Sequence, residues 1–232
     1  DLLASYPPEL MAFFGDITNL GTPTGYLDTY YFVYMPVIIG IFSISVGAGL
    51  LAGDEERGIL DLVMAQPISR TALFFGRLIG YLAATALILV ISWLSWAIPA
   101  PNTGLDLTAV QFLIPFLPLF AILLLFGSLA LLFSMLLPSV RLAGFLTGAL
   151  LVANWLLLGL ANINESLGRL VRFTPLHFYQ GGKAIEAMNW AWFAGLVGVS
   201  ILFCLLAWFL FQRRDIRVGG ERSWGLPSLR SS

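Results

Sequence analysis

The chain has 232 residues, of which 59% are hydrophobic and only 11% are charged, and its formal net charge is −1. Because a soluble domain normally carries about 25% charged residues, this composition excludes an ordinary water-soluble protein and predicts an all-α integral membrane protein. The even balance of charge argues against a nucleic-acid partner, and a single histidine and a single cysteine exclude a His or Cys cluster for a metal ion.

Uncharged stretches long enough to span a bilayer divide the chain. A helix needs about 20 apolar residues to cross about 30 Å of hydrocarbon, and it satisfies its own backbone polar groups there. The sequence therefore predicts five transmembrane helices in a domain that extends over residues 31–212. They are expected near residues 31–53, 72–98, 109–137, 141–161 and 189–211.

The two ends of the chain and the distribution of Lys and Arg predict the orientation in the membrane. Residues 1–30 contain no Lys or Arg and are expected to form an external segment with some helix around residues 7–15. With that segment outside, nine of the twelve Lys and Arg residues fall on the inner side, as the positive-inside rule requires. Residues 213–232, rich in Gly, Ser and Arg, then form a disordered cytoplasmic tail of a multi-pass protein of the cell membrane.

Residues 54–70, between the first two predicted spans, differ from the rest of the chain because they hold four acidic residues and two arginines. Apolar residues beginning with Ile59 recur there at helical spacing. This pattern predicts a short amphipathic helix over residues 54–68 on the cytoplasmic surface, ended by Pro67, with Ser69 placed to cap the next span. A rigid helix here could transmit the movement of a soluble partner to both spans. The alternative is an interfacial loop whose charges only hold the topology.

Residues 163–186, before the last span, form a second unusual stretch. They carry the three Lys and Arg residues that the orientation leaves outside, together with several aromatic residues. This amphipathic composition predicts short helices that lie at the outer interface or dip into it, and the alternative is an ordinary external loop. The residues singled out in this stretch are Pro175, His177, Phe178 and Tyr179.

Small and polar residues within the spans predict close packing between helices, because small side chains let backbones approach. The residues expected at such contacts are Ser43, Ser45, Gly47, Gly49, Gly144 and Gly148. Asn154 is the most polar side chain in the middle of a span. It is expected either to form a hydrogen bond to another helix or to line a path through the membrane.

The charged stretch resembles a segment of a known family. Residues 52–58 (AGDEERG), followed by LDL at 60–62 and QPISR at 66–70, resemble the AGEEERGTLELLLSLPVSR type of segment of permeases in the ABC-2 type exporter family. Residues 173–179 (FTPLHFY) are similar to the aromatic, proline-containing external segment before the last span of those permeases. Residues 211–216 (FQRRDI) are similar to the ending after that span. The resemblance covers essentially the whole chain from about residue 30.

The resemblance implies a six-helix fold, of which this chain would hold five, with the first helix before Asp1; the absence of an initial Met agrees with this expectation. It also implies that residues 54–68 are a coupling helix for a partner ATPase and that residues 163–186 are external helices. The coupling residues that it implies are Asp54, Glu55, Glu56, Arg57, Gly58, Leu60, Asp61, Leu62, Pro67 and Arg70. The implied assembly is a dimer with a second permease copy or homologue, bound to a pair of ABC ATPase subunits and surrounded by membrane lipid.

The predicted function is therefore that of the membrane-spanning subunit of an ATP-driven ABC exporter that works by alternating access. The sequence contains no G-x-x-x-x-G-K-[ST] phosphate loop. We therefore expect a transport subunit that is not itself an enzyme and that binds no cofactor, with ATP and Mg²⁺ bound by the partner ATPase.

Two other functions compete with this one. A channel or ion-coupled secondary transporter usually places ionisable residues inside its spans, but here only Arg77 and Arg141, near span ends, are ionisable. An intramembrane enzyme needs a serine beside His or Lys, or paired aspartates, within the bilayer, and the predicted spans have neither. The scarcity of charge favours an apolar or amphiphilic cargo, on whose path we place Asn154.

Overall fold

The computed structural model describes residues 21–102 and 107–213, and within those ranges the chain forms helices and turns without a β-strand. The all-α fold predicted from the sequence is confirmed. The helix expected around residues 7–15, the first twenty residues of the expected external segment and residues 214–232 of the expected tail lie outside the described residues.

The described residues form a series of long and short helices. In chain order the α-helices are α1 (Pro23–Leu27), α2 (Met35–Gly49), α3 (Ala52–Glu56), α4 (Leu60–Met64), α5 (Arg70–Ala97), α6 (Ala109–Leu113), α7 (Phe116–Leu136), α8 (Val140–Ala161), α9 (Gly168–Val171) and α10 (Trp190–Arg213). A π-helical turn, Asp28–Phe32, follows α1. Short 3₁₀-helices occur at Ala100–Asn102, Glu165–Leu167, Pro175–Phe178 and Gly181–Ile185.

Four helical stretches of the described residues are long and apolar enough to cross a membrane, namely α5, the pair α6 and α7, α8, and α10. A fifth is the bent pair Pro23–Phe32 and Met35–Gly49, if the two helices count as one span. The prediction of an all-α membrane protein with several spans is confirmed, with four to five of them. The bent pair differs from the first predicted span, 31–53, because it bends by 40° and ends at Gly49.

Pro36 explains the bend before α2. Proline lacks an N–H group and its ring clashes with the carbonyl four residues earlier, so a regular helix cannot pass through Phe32 and Val33. The freed carbonyl of Phe32 accepts a hydrogen bond from the Tyr179 hydroxyl (3.0 Å), and that of Val33 accepts one from the Trp155 indole N–H (3.0 Å). These partners matter because an unpaired carbonyl in lipid costs several kcal/mol.

Helix α7 lies at the centre of the bundle. Of its 21 residues, 15 are buried, and it packs mainly against α2 and α10, with α8 packing against both α2 and α7. The outer helices α5, α8 and α10 instead expose large apolar side chains, of which Ile79, Phe145 and Ile201 are examples. A bundle that is apolar both inside and outside is the arrangement expected of a protein surrounded by lipid.

Small residues allow α2 and α7 to approach closely, as the sequence predicted for Ser43 and Gly47. A Cβ atom on Gly47 would lie less than 3.0 Å from the carbonyl oxygen of Gly127, a separation that real Cβ atoms essentially never show. The Ser43 hydroxyl donates to the carbonyl of Leu123 (2.6 Å) and forms a hydrogen bond with the hydroxyl of Tyr81 (2.6 Å). These bonds join α2, α5 and α7 in the bundle interior.

Three of the small residues that were expected at contacts between helices do not contact another helix among the described residues. Ser45 is exposed and donates to a carbonyl of its own helix. A Cβ atom added at Gly49 or at Gly148 would have no atom of another element within 4 Å. On α8 the small residues Ala143, Thr147 and Gly159 are buried, and a Cβ atom on Gly144 would lie 3.9 Å from the Cβ of Ala48, so Gly144 faces α2 as expected.

Candidate functional site

The segment between α2 and α5 folds as two short helices rather than one. The single amphipathic helix expected over residues 54–68 is therefore wrong, because α3 and α4 are each five residues long and Gly58 lies between them. Leu51 and Leu60 are buried in an apolar cluster that includes residues of α5, α7 and α10. The segment is thus packed against one end of the bundle, which we call the charged end.

Gly58 separates the two helices by ending α3. Its φ of 69° lies in the left-handed region, which glycine adopts without a steric penalty. The Gly58 N–H donates to the carbonyl of Glu55 (3.1 Å), and the Ile59 N–H donates to that of Asp54 (2.9 Å). This pair of bonds is the Schellman motif that closes many helices. A glycine just after a helix is a known sequence signal for its end, so the break was predictable.

Two acidic side chains of the segment bind other parts of the same chain. Asp54 forms an ion pair with Arg77 on α5, and its side chain is only 13% exposed. A side-chain oxygen of Glu56 accepts a hydrogen bond from the N–H of Val140, the first residue of α8 (2.8 Å). Both carboxylates therefore fasten the segment to membrane helices. The side chain of Asp61 lies outside what the structure describes.

Arg70 links the start of α5 to the end of α10. Its guanidinium donates to the carbonyls of Phe211 (3.3 Å) and Gln212 (3.4 Å), which lie in the last turn of α10, where helix carbonyls need partners from outside the helix. The Gln212 amide in turn donates to the hydroxyl of Thr71 (2.8 Å). Ser69 accepts from the N–H of the third residue after it (3.1 Å), so the predicted cap of α5 is present. The segment is therefore bonded directly to α5 and α8, and it reaches α10 through the shared apolar cluster and through the bonds between α5 and α10.

The other side chains of the segment divide between the bundle and the outside, since Val63 and Met64 pack against the buried cluster whereas several others are exposed. Leu62 is 71% exposed, whereas its neighbour Leu60 is only 2% exposed. Among the exposed residues of the segment, we call five the outward patch, namely Arg57, Ile59, Leu62, Pro67 and Ile68. Exposed apolar side chains beside a cation are typical of a protein–protein contact surface. Two members of the patch, Ile59 and Ile68, lie within the predicted coupling segment, although neither is among the individual coupling residues that the resemblance implies.

The opposite end of the bundle is covered by residues 175–186. The carboxylate of Asp28 accepts a hydrogen bond from the N–H of Gly182 (2.7 Å), and Thr24 donates to Glu186 (2.8 Å). Gly181 has a φ of 53°, and a Cβ atom on Gly182 would lie less than 3.0 Å from the Cβ of Asp28. The adjacent glycines thus allow this segment to lie directly on the helix that precedes α2. No sequence signal connected Asp28 with these glycines.

The four residues predicted in the external stretch have different environments. Pro175 begins a 3₁₀-helix, and His177 and Phe178 pack around the ring of Trp192, with ring centroids 5.5 and 5.7 Å away. Burial raises the pKa of the Tyr179 phenol well above its ordinary value, with a smaller contribution from the carboxylate of Asp28. Tyr179 is therefore a neutral hydrogen-bond donor at physiological pH, as its bond to the carbonyl before α2 requires.

A comparison with known protein families shows which family the chain belongs to. Residues 4–216 match the model of a family described as ABC-2 family transporter protein. The chain belongs to this family. It is thus the permease subunit of an ABC transporter, a multi-pass membrane protein whose relatives generally work with an ABC ATPase partner, as predicted. No curated protein and no solved structure gives a significant match to the chain.

Asn154 of the ABC-2 permease lies on α8, and among the described residues only the N–H group of its side-chain amide has a hydrogen-bond partner. Its side-chain N–H donates to the carbonyl of Leu150 (2.7 Å), and its side-chain oxygen is buried without a hydrogen-bond partner among the described residues. A buried oxygen without a partner costs about 1–3 kcal/mol.

In residues 21–102 and 107–213, no three His, Cys, Asp or Glu side chains group together as metal ligands would.

We expect the ion pair between Asp54 and Arg77 to stabilise the permease by about 1 kcal/mol, because one partner is largely buried and the other is half-exposed. Asp54→Asn and Arg77→Gln should each lower the thermal stability in detergent. Because both changes remove the same interaction, the double variant should be no less stable than the worse single variant. Fully additive losses in this double-mutant cycle would show that the two residues act independently.

We expect Asp28→Ala to loosen residues 180–186 and to lower the stability of the permease by about 1–2 kcal/mol, since the Gly182 N–H loses a charged acceptor. Amide hydrogen exchange in residues 180–186 should become faster. Asp28→Asn is the matched control, because it keeps an oxygen at the same place and should retain most of the protection. Unchanged exchange in the alanine variant would contradict the role of Asp28.

Proposed function

We propose that this ABC-2 permease is the membrane-spanning subunit of an exporter and that two ABC ATPase subunits drive it by pressing on residues 52–68. One observation carries the proposal: the segment presents an exposed apolar patch outward while its polar side chains attach it to the bundle. A surface that must transmit force needs both a contact area for the partner and a stiff connection to what it moves.

The connections support a mechanism of alternating access. A push on the outward patch would reach α5 through Asp54 and Arg77, α8 through Glu56, and α10 through Arg70. ATP binding by the partner subunits would thus tilt several spans together rather than deform one loop. ATP and Mg²⁺ would be held entirely by the partner ATPase in this mechanism.

The distribution of cations supports a cytoplasmic position for the charged end, with the C-terminus also cytoplasmic. Arg57, Arg70 and Arg77 belong to this end, and Arg213 ends α10 beside it. Three cations, Arg169, Arg172 and Lys183, belong instead to the stretch before α10. Four of these cations at the charged end against three before α10 agree with the positive-inside rule for a protein of the cell membrane.

The exposed face formed by α2 and α8 is the surface that we propose for a second permease copy or homologue and for the cargo path. It exposes Ile38 and Ile41 on α2 and Phe145 on α8, so it offers apolar contact area within the membrane. Asn154 on α8 adds one amide oxygen without a partner among the described residues. An apolar or amphiphilic cargo fits a path with so little charge.

Purification of the full-length permease from its native host in a mild detergent, with mass spectrometry of the copurifying chains, tests this function. We expect a stoichiometric soluble chain with a phosphate-binding loop, and ATP-dependent transport after reconstitution into vesicles. Transport out of the compartment that contains the ATPase would establish export. A permease that purifies alone and does not respond to ATP would favour a channel, for which ion conductance would then be measured.

A further inference from the structure

A cavity of about 230 Å³ lies between α5, α7 and α10. Phe75 and Leu78 of α5, Leu124 of α7, and Ile201 and Leu205 of α10 contribute to its walls. At the charged end, the bonds from Arg70 and Thr71 to the last turn of α10 hold α5 and α10 together. Further along the bundle the cavity separates α5 from α10, with Leu124 and Ser128 of α7 in its wall.

The hydroxyl groups around this cavity are already engaged within the protein. The Ser128 hydroxyl donates to the carbonyl of Leu125 (3.0 Å), that of Ser200 to Leu196 (2.8 Å), and that of Tyr81 to Leu123 (3.2 Å). A ligand would therefore meet hydrocarbon walls with no oriented polar group. Such walls select a hydrocarbon ligand rather than a polar one.

The size and depth of the cavity suit a hydrocarbon chain from the bilayer. An apolar cavity of about 150 Å³ binds benzene, so about 230 Å³ accommodates a longer segment of hydrocarbon, whereas a helix about 10 Å across is too wide. The lining residues of α5 run from Phe75 to Leu82, about 8 to 18 Å along the helix from its first residue at about 1.5 Å per residue, so the cavity begins in the leaflet nearest to the charged end and reaches the middle of the bilayer. The exposure of Ile201 and Leu205 shows that the cavity opens sideways.

A ridge on α10 leads from this cavity to a cation. Ile201, Leu205, Phe209 and Arg213 follow each other at intervals of four residues, and such residues form a continuous ridge on a helix. The Arg213 guanidinium lies 4.1 Å above the centre of the Phe209 ring. An apolar track that ends in an arginine near the membrane surface complements a molecule with a hydrocarbon tail and a phosphate.

We propose that this cavity binds one acyl chain of a membrane phospholipid from the leaflet nearest to the charged end, with the lipid phosphate at Arg213. The lipid fills the space that α5 and α10 leave open over α7, and it does not occupy the face of α2 and α8 assigned above to the cargo. The site depends only on the membrane location of the chain and is independent of the proposed export function.

The test uses the full chain in vesicles of phosphatidylcholine and phosphatidylglycerol that contain a phospholipid with a photoactivatable group on one acyl chain. After irradiation, we expect cross-links enriched at Leu78, Ile201 and Cys204 relative to Phe145, which faces outward on α8. Cys204→Phe fills the cavity and should reduce these cross-links to the level at Phe145. The matched control, Val199→Phe, adds the same ring to an exposed position of α10 and should leave them unchanged.

The phosphate contact is tested separately by Arg213→Gln. We expect about fivefold weaker phospholipid binding, the equivalent of about 1 kcal/mol for one basic residue near a membrane surface. A fatty acid probe that labels the cavity as well as the phospholipid, with no effect of Arg213→Gln, would overturn the phosphate assignment. Equal labelling of Phe145 and of the cavity residues in the wild-type chain would overturn the acyl-chain site, and this comparison needs no variant. Labelling in dilute detergent but not in vesicles would also overturn it and would assign the cavity to a second protein chain.

Discussion

Gly47→Ala is expected to destabilise the bundle of the permease strongly. The added Cβ would lie less than 3.0 Å from the backbone carbonyl oxygen of Gly127, which no change of rotamer can move away. Helices α2 and α7 would have to separate, although α7 forms the centre of the bundle and packs most extensively against α2 and α10. Overpacking of this kind typically costs about 1–3 kcal/mol and occasionally more, and we expect a value at the upper end because the obstacle is backbone.

The measurement is the yield of monodisperse protein and its melting temperature in detergent. Gly49→Ala is the matched control, because Gly49 belongs to the same helix and its added Cβ would meet no described atom of another element within 4 Å. Alanine is favoured over glycine in a helix by about 1 kcal/mol, so this variant should be as stable as the wild type or slightly more stable. If both variants melt at the same temperature, the close approach of α2 and α7 does not limit stability.

Leu62→Arg is expected to abolish the association of the permease with its ATPase and therefore to stop transport. Leu62 is the most exposed large side chain of the outward patch, at 71%, so a charged substitute should not disturb the fold. A charge placed at the centre of an apolar contact is left without a partner when the contact forms, so we expect a loss of about 2 kcal/mol, which weakens binding by about 30-fold. Pull-down of the ATPase and ATP-driven transport in vesicles measure the effect.

Two further variants separate loss of contact from loss of structure. Leu170→Arg places the same charge at a 56% exposed leucine in the stretch before α10 and should leave ATPase binding intact. Leu60→Arg places it two residues from Leu62 at a 2% exposed position, and it should destabilise the charged end. Full ATPase binding by a correctly folded Leu62→Arg variant would exclude the outward patch as the docking surface.

The long helices were predictable from the sequence because lipid imposes a strong requirement on length and hydropathy. Helices α5, α7, α8 and α10 each contain a long uncharged stretch, with arginines only near the ends of α5, α8 and α10. The bend before α2 was less evident, because Pro36 permits several outcomes. The outcome here depends on Trp155 and Tyr179, which supply hydrogen-bond donors from elsewhere in the chain.

The candidate site was only partly predictable because local sequence does not reveal distant partners. The charged segment itself was evident from its composition, and Gly58 carried a signal for the break that the expected single helix ignored. However, Asp54 pairs with a residue 23 positions away, and Glu56 bonds to one 84 positions away. Which acids face inward therefore follows from tertiary packing, and no periodicity in residues 54–68 distinguishes them.

The hydrogen bond between Glu56 and the first residue of α8 couples the charged segment to that membrane helix. A helix N-terminus carries about half a positive charge, so the start of α8 is stabilised by a carboxylate from a different loop. Any shift of that loop changes the free energy of α8, and the reverse holds equally. A molecule bound against α8 would then change the affinity of the permease for the ATPase. Thermodynamic linkage requires the ATPase to change the affinity of the permease for that molecule by the same factor.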